Sequence, residues 1–356
     1  MMKTLLLTVA YNGRGGLERV VANMANSFVK NNFRVIVLSL APTEFLFSAY
    51  PLAPEVERHY LFFPNFSSLS PIAAFVEKIK LFISTRRYFK QNKVDFAIDN
   101  DIYIPPFYFR INGVKTAVSY HSYFGYYRFS WRDIINKKGA HYNVILSGQE
   151  IDKWKKQLNH VVVIPNMLVP LPAPEKKIDG KFILAVGRLD KNKDFRRLIQ
   201  SYLPLITQFP DWKLIIVGEG SERNSLQTFI TEHHAEKFIE LKPLEHHIEN
   251  YYGSASIFAL TSHYEGFPMV LVEAMSFGVP CVSFDITTGP KDMIDHQQNG
   301  FLIENNNLEA YTQALATLMK DEKLRIDMGE KARRIVSDRF SETVVINKWL
   351  SLINEQ

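Results

Sequence analysis

Two glutamates carry the chemistry that reads most directly from this chain. Glu265 and Glu273 are separated by seven residues in the run Glu265-Gly266-Phe267-Pro268-Met269-Val270-Leu271-Val272-Glu273-Ala274-Met275. A carboxylate ahead of a Gly and a Pro, then an apolar stretch with a second carboxylate inside it, is the pattern of a loop feeding a helix N-terminus. The first amides of such a helix lack partners within it and, with the helix dipole, can hold an anion. Backbone N–H groups of Gly266, Phe267, Met269 and Val270 would then face a phosphate, while Glu265 and Glu273 accept hydrogen bonds from hydroxyls nearby. Phosphate together with polyol points to a nucleotide sugar. Either glutamate alone is better read as a capping carboxylate or a solvated side chain on an ordinary strand-loop-helix unit.

A second candidate is Gly187-Arg188-Leu189-Asp190-Lys191-Asn192-Lys193-Asp194-Phe195, which follows a strand and precedes a helix containing Leu198 and Ile199. Arg188 and Lys193 flank a tight loop. A departing diphosphate gains negative charge, so a guanidinium and an ammonium that reach it stabilise the transition state more than the ground state. A solvated basic loop is the plainer alternative and suits Lys191 better. Near the start, Tyr11-Asn12-Gly13-Arg14-Gly15-Gly16-Leu17-Glu18-Arg19 is a glycine-rich turn opening a helix through Val20, Val21, Met24 and Ala25. Such a turn can set amides against a diphosphate, but it also serves packing alone, and its glycines do not form Gly-x-Gly-x-x-Gly. His121 follows the strand Lys115 to Tyr120, at the carboxyl edge where α/β folds place ligands; a histidine there is also commonly structural.

Asp99-Asn100-Asp101 has the form of an Asp-x-Asp metal motif. It ends a strand of the first half, whereas the cationic loop lies in the second, so we expect Arg188 and Lys193 to replace a metal's charge. No cluster of His and Cys has zinc-like spacing, and neither metal nor cofactor is expected. The single cysteine, Cys281, sits in Val279-Pro280-Cys281-Val282 and reads as a buried strand residue; it excludes an intrachain disulfide and fits a reducing compartment.

The elements that must position these residues alternate along the chain. At 356 residues the sequence is long for one domain and sufficient for two, each burying its own core. Hydrophobic content of 46% and charged content of 22% exclude a disordered chain. The net charge of +5 is too mild to call for nucleic acid. Short apolar runs alternate with amphipathic stretches of helix length, the pattern of parallel strands joined by crossover helices. First-half strand candidates are Thr4–Val9, Arg34–Leu40, Phe96–Asp99, Lys115–Tyr120, Asn143–Ser147 and His160–Ile164. Those of the second half are Phe182–Val186, Lys213–Val217, Phe238–Leu241, Ile257–Leu260 and Pro280–Phe284. Pro165, Pro170, Pro172 and Pro174 separate the two sets and resist both helix and central strand. The expected organisation is an α/β domain over 1–165, a linker over 166–177, a second α/β domain over 178–338 and a terminal segment over 339–356. No window reaches the roughly 18 apolar residues of a spanning helix. Met1 to Ala10 is too short and interrupted for a secretory leader, so the protein is expected in the cytoplasm.

The string Ser262-His263-Tyr264-Glu265-Gly266-Phe267-Pro268, continued through Glu273-Ala274-Met275-Ser276-Phe277-Gly278-Val279-Pro280-Cys281-Val282, closely resembles the donor-site segment of the retaining glycosyltransferases of family four. That resemblance implies the GT-B fold, two Rossmann-like domains facing across a cleft, with a nucleotide diphosphate sugar held mostly by the C-terminal one. Gly15-Gly16-Leu17-Glu18 matches the family's Gly-Gly-x-Glu and places Gly16 near the donor phosphates. The string 187–195 resembles the family's Gly-Arg … Lys-Gly element, with Asp194 in place of the usual Gly, and gives Arg188 and Lys193 the diphosphate role. Val217-Gly218-Glu219-Gly220 and Thr287-Thr288-Gly289-Pro290-Lys291-Asp292 also match, the latter with Asp292 where Glu is usual. By the same resemblance His121 lies close to the sugar and phosphates, and the last helix, from Glu342 to Ile353, returns to the first domain.

The implied reaction is retaining, metal-independent transfer of a hexose or N-acetylhexosamine from a nucleotide diphosphate sugar, UDP being favoured, to a hydroxyl of a glycan acceptor. Lipopolysaccharide, capsule or exopolysaccharide assembly and a lipid-linked acceptor follow from similarity to bacterial surface-polysaccharide members. Glu265 would position the sugar during front-face attack. A nucleotide-sugar epimerase on the same fold and a non-catalytic nucleotide-sugar-binding subunit are the rival readings. Two first-half segments interleave basic and aromatic residues: Lys78, Lys80, Phe82, Arg86, Arg87, Tyr88, Phe89, Lys90 and Lys93, then Tyr126, Tyr127, Arg128, Phe129, Trp131, Arg132, Lys137 and Lys138. They suit a peripheral surface on the inner face of the cytoplasmic membrane, and equally a helix with a buried aromatic face and a solvated charged one.

Overall fold

The computed structural model describes residues 2–9, 16–39, 50–60, 70–100, 106–127, 139–175, 178 and 181–355. The turn residues 11–15, Asp101 and the basic-aromatic residues 128–138 lie outside the described residues. The chain divides into two compact units, Met1–Met167 with Glu342–Gln356, and Leu168–Ser341.

The first unit is built on strands β1 (Thr4–Val9), β2 (Arg34–Ser39), β3 (Glu57–Tyr60), β4 (Phe96–Asn100), β5 (Lys115–Tyr120), β6 (Tyr142–Ile145) and β7 (Val161–Val163). Their order is β3-β2-β1-β4-β5-β6-β7, and every pairing is parallel. β1 reads Thr-Leu-Leu-Leu-Thr-Val and is buried along its whole length, as a central strand covered on both faces must be. Leu5 pairs with Val35 on one side and Phe96 on the other. The helix Gly16–Lys30 packs Val21, Met24, Ala25 and Phe28 on Leu5, Leu7 and Val35. The final helix, Glu342–Asn354, adds Val345, Ile346, Trp349, Leu352 and Ile353 to that same core.

The last helix is tied at its first turn. Ser27 Oγ donates to Glu342 Oε1 at 2.5 Å, and Lys30 Nζ donates to the same oxygen at 2.9 Å. Burial alone would raise the Glu342 carboxyl; the Ser27 and Lys30 contacts outweigh it and hold it below its ordinary value. A depressed folded-state value means a contribution fully present above the unfolded value of about 4.3 and lost as pH falls through the folded one. Lys30 is mostly solvated, which limits the effect to about 1 kcal/mol. Glu342→Gln should therefore lower the unfolding temperature at pH 7, and the gap to the parent protein should close as pH falls below about 4. A gap independent of pH would show that the charge of Glu342 contributes nothing.

The second unit contains β8 (Lys181–Val186), β9 (Trp212–Val217), β10 (Ile239–Lys242), β11 (Ile257–Leu260), β12 (Cys281–Asp285) and β13 (Gly300–Glu304), ordered β10-β9-β8-β11-β12-β13 and parallel throughout. This is the doubly wound order in which the winding reverses between the first and fourth strands, here β8 and β11. Ligands of such sheets bind at the carboxyl ends of that pair. Cys281 is fully buried in β12, and burial pushes its thiol well above the usual range.

The structure refines the sequence reading in three places. The segment 166–177 divides between the units, with Met167 in the core of the first and Pro174 packed near Gly253 in the second. The helix Glu322–Phe340 runs through position 339, and the division falls after Ser341, where Leu168 N–H donates to Phe340 O at 2.8 Å. In the helix Pro71–Asn92 three aromatic residues turn inward: Phe89 is buried against Phe109, and Phe82 and Tyr88 pack on that core. They offer no aromatic contact face, since burying each ring against apolar neighbours outweighs leaving it in water.

Candidate active site

Two loops leave the carboxyl ends of β8 and β11, and hydrogen bonds join them. His263 N–H donates to Asn192 O at 2.8 Å, Asn192 Nδ2 donates to Tyr264 O at 3.1 Å, and Thr261 Oγ1 donates to Lys193 O at 3.0 Å. The result sets Lys193 against Glu265. Lys193 Nζ pairs with Glu265 Oε1, and Ser262 Oγ donates to the same oxygen at 2.6 Å. The side chains are 19% and 12% exposed, so the pair sits at the sheet edge largely screened from water. Thr288 Oγ1 donates to the Glu265 carbonyl and fixes the backbone as well.

Arg188 is on the same loop but does not join this pair. Its Nε donates to Asp190 Oδ2 at 2.6 Å, and the guanidinium is 78% exposed. Asp190 also accepts from the Lys193 amide at 3.0 Å. Burial would raise the Asp190 carboxyl, but the Lys193 amide and Arg188 together hold it below its usual value. Asp194 has φ 43° and ψ 56°, the left-handed conformation, and caps the helix Phe195–Tyr202 by accepting from Arg197 N–H at 3.3 Å. Aspartate tolerates this conformation better than most residues, which explains how it stands where glycine is usual.

Beneath the loops lies Arg197, a buried cation that the sequence reading does not single out. Its Nε and Nη2 donate to the carbonyls of Thr261 and Ser262, each at 2.7 Å, and its Nη1 reaches the side chains of Asn305 and Asn306 at 3.2 and 3.1 Å. The guanidinium lies over the Phe284 ring, 4.2 Å from its centroid. Burial lowers its proton affinity, and Asp194 partly opposes that. Arg197 thus anchors the two residues from which the Glu265 loop departs.

The glycines of Val217-Gly218-Glu219-Gly220 fit a close approach of backbones. A Cβ on Gly218 would stand 1.9 Å from Gly187 O, and one on Gly220 would stand 2.2 Å from Leu189 O. Leu189 N–H donates to Glu219 O, and Glu222 N–H returns to Leu189 O, so this segment shapes the cationic loop.

The helix that follows Glu265 is Met269–Ser276, with Pro268 at its cap and no side-chain cap bond. Phe267 turns its ring into the unit, edge-on to Phe340, so only its backbone faces the loop side. Gly266, Met269 and Val270 are half-buried. Glu273, one turn further, is 3% exposed and accepts from Tyr252 Oη at 2.9 Å. Tyr252 is a second partner that sequence spacing does not reveal.

His121 and Gly16 belong to the first unit. His121 Nε2 lies 2.9 Å from Asn100 Oδ1, and Asn100 Nδ2 donates to Thr8 O at 2.9 Å. Asn100 Oδ1 is therefore the acceptor, which places the ring proton of His121 on Nε2 and makes Nδ1 the acceptor of the neutral ring. Asp99 and Asn100 are buried and hydrogen-bonded to Thr8, so they are structural parts of the edge of β4. Gly16 opens the helix Gly16–Lys30, with nothing within 4 Å of where its Cβ would stand. Among the described residues no group of three or more His, Cys, Asp or Glu is gathered as metal ligands.

Two doubly wound α/β units, the second with a cation–carboxylate pair at its switch point, define a protein of the GT-B class. Residues 172–335 match the family described as glycosyl transferases group 1. Over 352 residues the chain is 28% identical to an uncharacterized glycosyltransferase of Haemophilus influenzae, covering 95% of this chain and 96% of that one. It is 35% identical over 172 residues to the amylovoran biosynthesis glycosyltransferase AmsD of Erwinia amylovora, about half of each chain at 48% and 48%. A crystal structure of an S. aureus TarM variant in complex with UDP, α-GlcNAc-glycerol and fondaparinux superposes with a TM-score of 0.80 at 16% identity, covering 99% of this chain and 100% of that one, a likeness of fold.

Proposed function

We propose that this glycosyltransferase moves a hexose or N-acetylhexosamine from a UDP-sugar to a hydroxyl of a glycan acceptor, with retention at the anomeric carbon and without a metal ion. The observation that carries the reading is the Lys193–Glu265 pair, buttressed by Ser262, at the switch point between β8 and β11. UDP in the TarM complex and the amylovoran role named for AmsD support the nucleotide and the setting in bacterial polysaccharide assembly.

In this reading the diphosphate takes Lys193 from Glu265, and Arg188 swings from Asp190 to reach it from the solvent side. Glu265 is then released to accept from hydroxyls of the sugar, and Glu273, one of its oxygens held by Tyr252, accepts from the ribose. The bond from the anomeric carbon to the diphosphate oxygen breaks as the acceptor oxygen bonds on the same face. The acceptor proton passes to the departing phosphate.

Calorimetry with free UDP and with intact UDP-sugar tests the division of labour. Glu273→Gln should weaken free UDP by about 10- to 100-fold, the worth of a hydrogen bond to a charged group, whereas Glu265→Gln should leave free UDP unchanged and weaken the intact donor. Transfer should persist in excess chelator. Equal losses for both ligands would remove the assigned roles, and activity abolished by EDTA and restored by magnesium would overturn metal independence.

A further inference from the structure

The helix Pro71–Asn92 turns Phe82, Tyr88 and Phe89 inward and leaves four aliphatic side chains outside. Ile72, Val76, Ile79 and Ile83 are between 44% and 79% exposed. At 100° per residue these four fall within an arc of about 60°, forming one stripe about 16 Å long. Isolated exposed apolar residues need no explanation, but four in register on one face do. The same face continues toward the C-terminus as Arg86, Arg87 and Lys90, all exposed and within about 50° of the centre of the stripe. Lys93 follows at the left-handed C-cap and is also exposed. The only acidic residue of this helix, Glu77, lies off the stripe and is paired with Lys80 at 2.7 Å.

We propose that this face is a docking surface for an anionic phospholipid bilayer, with Ile72, Val76, Ile79 and Ile83 entering the acyl boundary and Arg86, Arg87, Lys90 and Lys93 held at the headgroups. An apolar strip in line with a cationic cluster is what an interfacial helix presents, and anionic lipid supplies both complements at once. A second copy of the chain fits less well, since this face carries no carboxylate to receive the partner's cations. Among the described residues no helix is long and apolar enough to cross a membrane, so attachment through this face is peripheral. The assignment differs from the aromatic one expected from the sequence and stands independently of the donor chemistry.

Sedimentation of the full chain with phosphatidylglycerol-containing vesicles, and with pure phosphatidylcholine vesicles as control, tests it. The protein should pellet with the anionic vesicles and be released as salt rises, because charge attraction is screened over about 8 Å at physiological ionic strength. Arg86→Glu with Arg87→Glu should lower the partition coefficient about fivefold per unit of charge removed. Ile79→Glu with Ile83→Glu should abolish pelleting at every salt concentration. Both pairs should keep the parent unfolding temperature and its rise with UDP, which separates failure of this proposal from failure of the donor assignment. No pelleting at low salt, or pelleting indifferent to Ile79→Glu with Ile83→Glu, overturns the bilayer. A light-scattering mass of twice the chain, halved by that pair, assigns the face instead to a second copy.

Discussion

Lys193→Ala should lower kcat by about 10²- to 10³-fold, the loss that follows when one preorganised group facing developing negative charge is removed. The expectation rests on geometry and burial together. The Lys193 side chain is only 19% exposed and its ammonium is fixed by a carboxylate, so it would meet a leaving diphosphate without first shedding a full water shell. UDP binding should weaken much less, because charge on the diphosphate is greatest as the bond breaks. Arg188→Ala should follow the same pattern with a smaller loss, since that guanidinium is largely solvated and already shared with Asp190. Lys193→Arg is not conservative here: a planar fork cannot occupy the position of a point charge between Glu265 and the loop backbone. Steady-state turnover, with UDP affinity measured on the same folded variants, decides the matter. Normal turnover in Lys193→Ala would reduce the residue to a partner of Glu265.

Why Lys193 and Glu265 were legible in the sequence, and Arg197 was not, follows from how each is specified. Strands such as β1 and β11 carry short apolar runs, Leu5-Leu6-Leu7 and Ile257-Phe258-Ala259-Leu260, and their placement follows from hydrophobicity. A charged residue just beyond such a run stands at the carboxyl edge by construction, which makes Arg188, Lys193, Glu265 and His121 visible. Two edge strands escaped. β13 has the apolar run Phe301-Leu302-Ile303 but opens on Gly300, where a Cβ would stand 2.4 Å from Cys281 O, and a glycine there reads as a turn. β3 reads Glu-Arg-His-Tyr with no apolar pair, and its identity comes from the neighbouring strand, which no local pattern encodes. The same holds for second partners. Tyr252 and Glu273 are 21 residues apart, Lys193 and Glu265 are 72 apart, and Arg197 reaches Asn305 across 108. In Phe195-Arg196-Arg197-Leu198 nothing local says which arginine turns inward. The helix phase decides it, set by the Asp194 cap: Arg197 lies buried on Phe284, and Arg196 stacks over Phe229.

That buried arginine carries the other large expected effect. Arg197→Leu should cost about 3–5 kcal/mol of stability, because it strips two buried carbonyls of the donor that serves them. The carbonyls of Thr261 and Ser262 would lose their 2.7 Å bonds while remaining buried, each an unmet acceptor worth about 1–3 kcal/mol. Arg197→Lys should recover only part of this, since one ammonium cannot span two carbonyls and two amide side chains. The functional consequence should exceed the stability loss at temperatures where the variant is still folded. Ser262 supplies one of the two side-chain contacts of Glu265, and its backbone is the point that Arg197 anchors. Once released, the loop no longer holds Glu265 within the few tenths of an ångström that productive contact with a sugar hydroxyl demands. The expected signature in Arg197→Lys is an unfolding temperature lowered by several degrees, free UDP affinity little changed, and turnover of the intact donor reduced about 100-fold. A merely structural role for Arg197 would lower the unfolding temperature and leave the turnover of the remaining folded protein intact, and that result would detach the buried cation from catalysis.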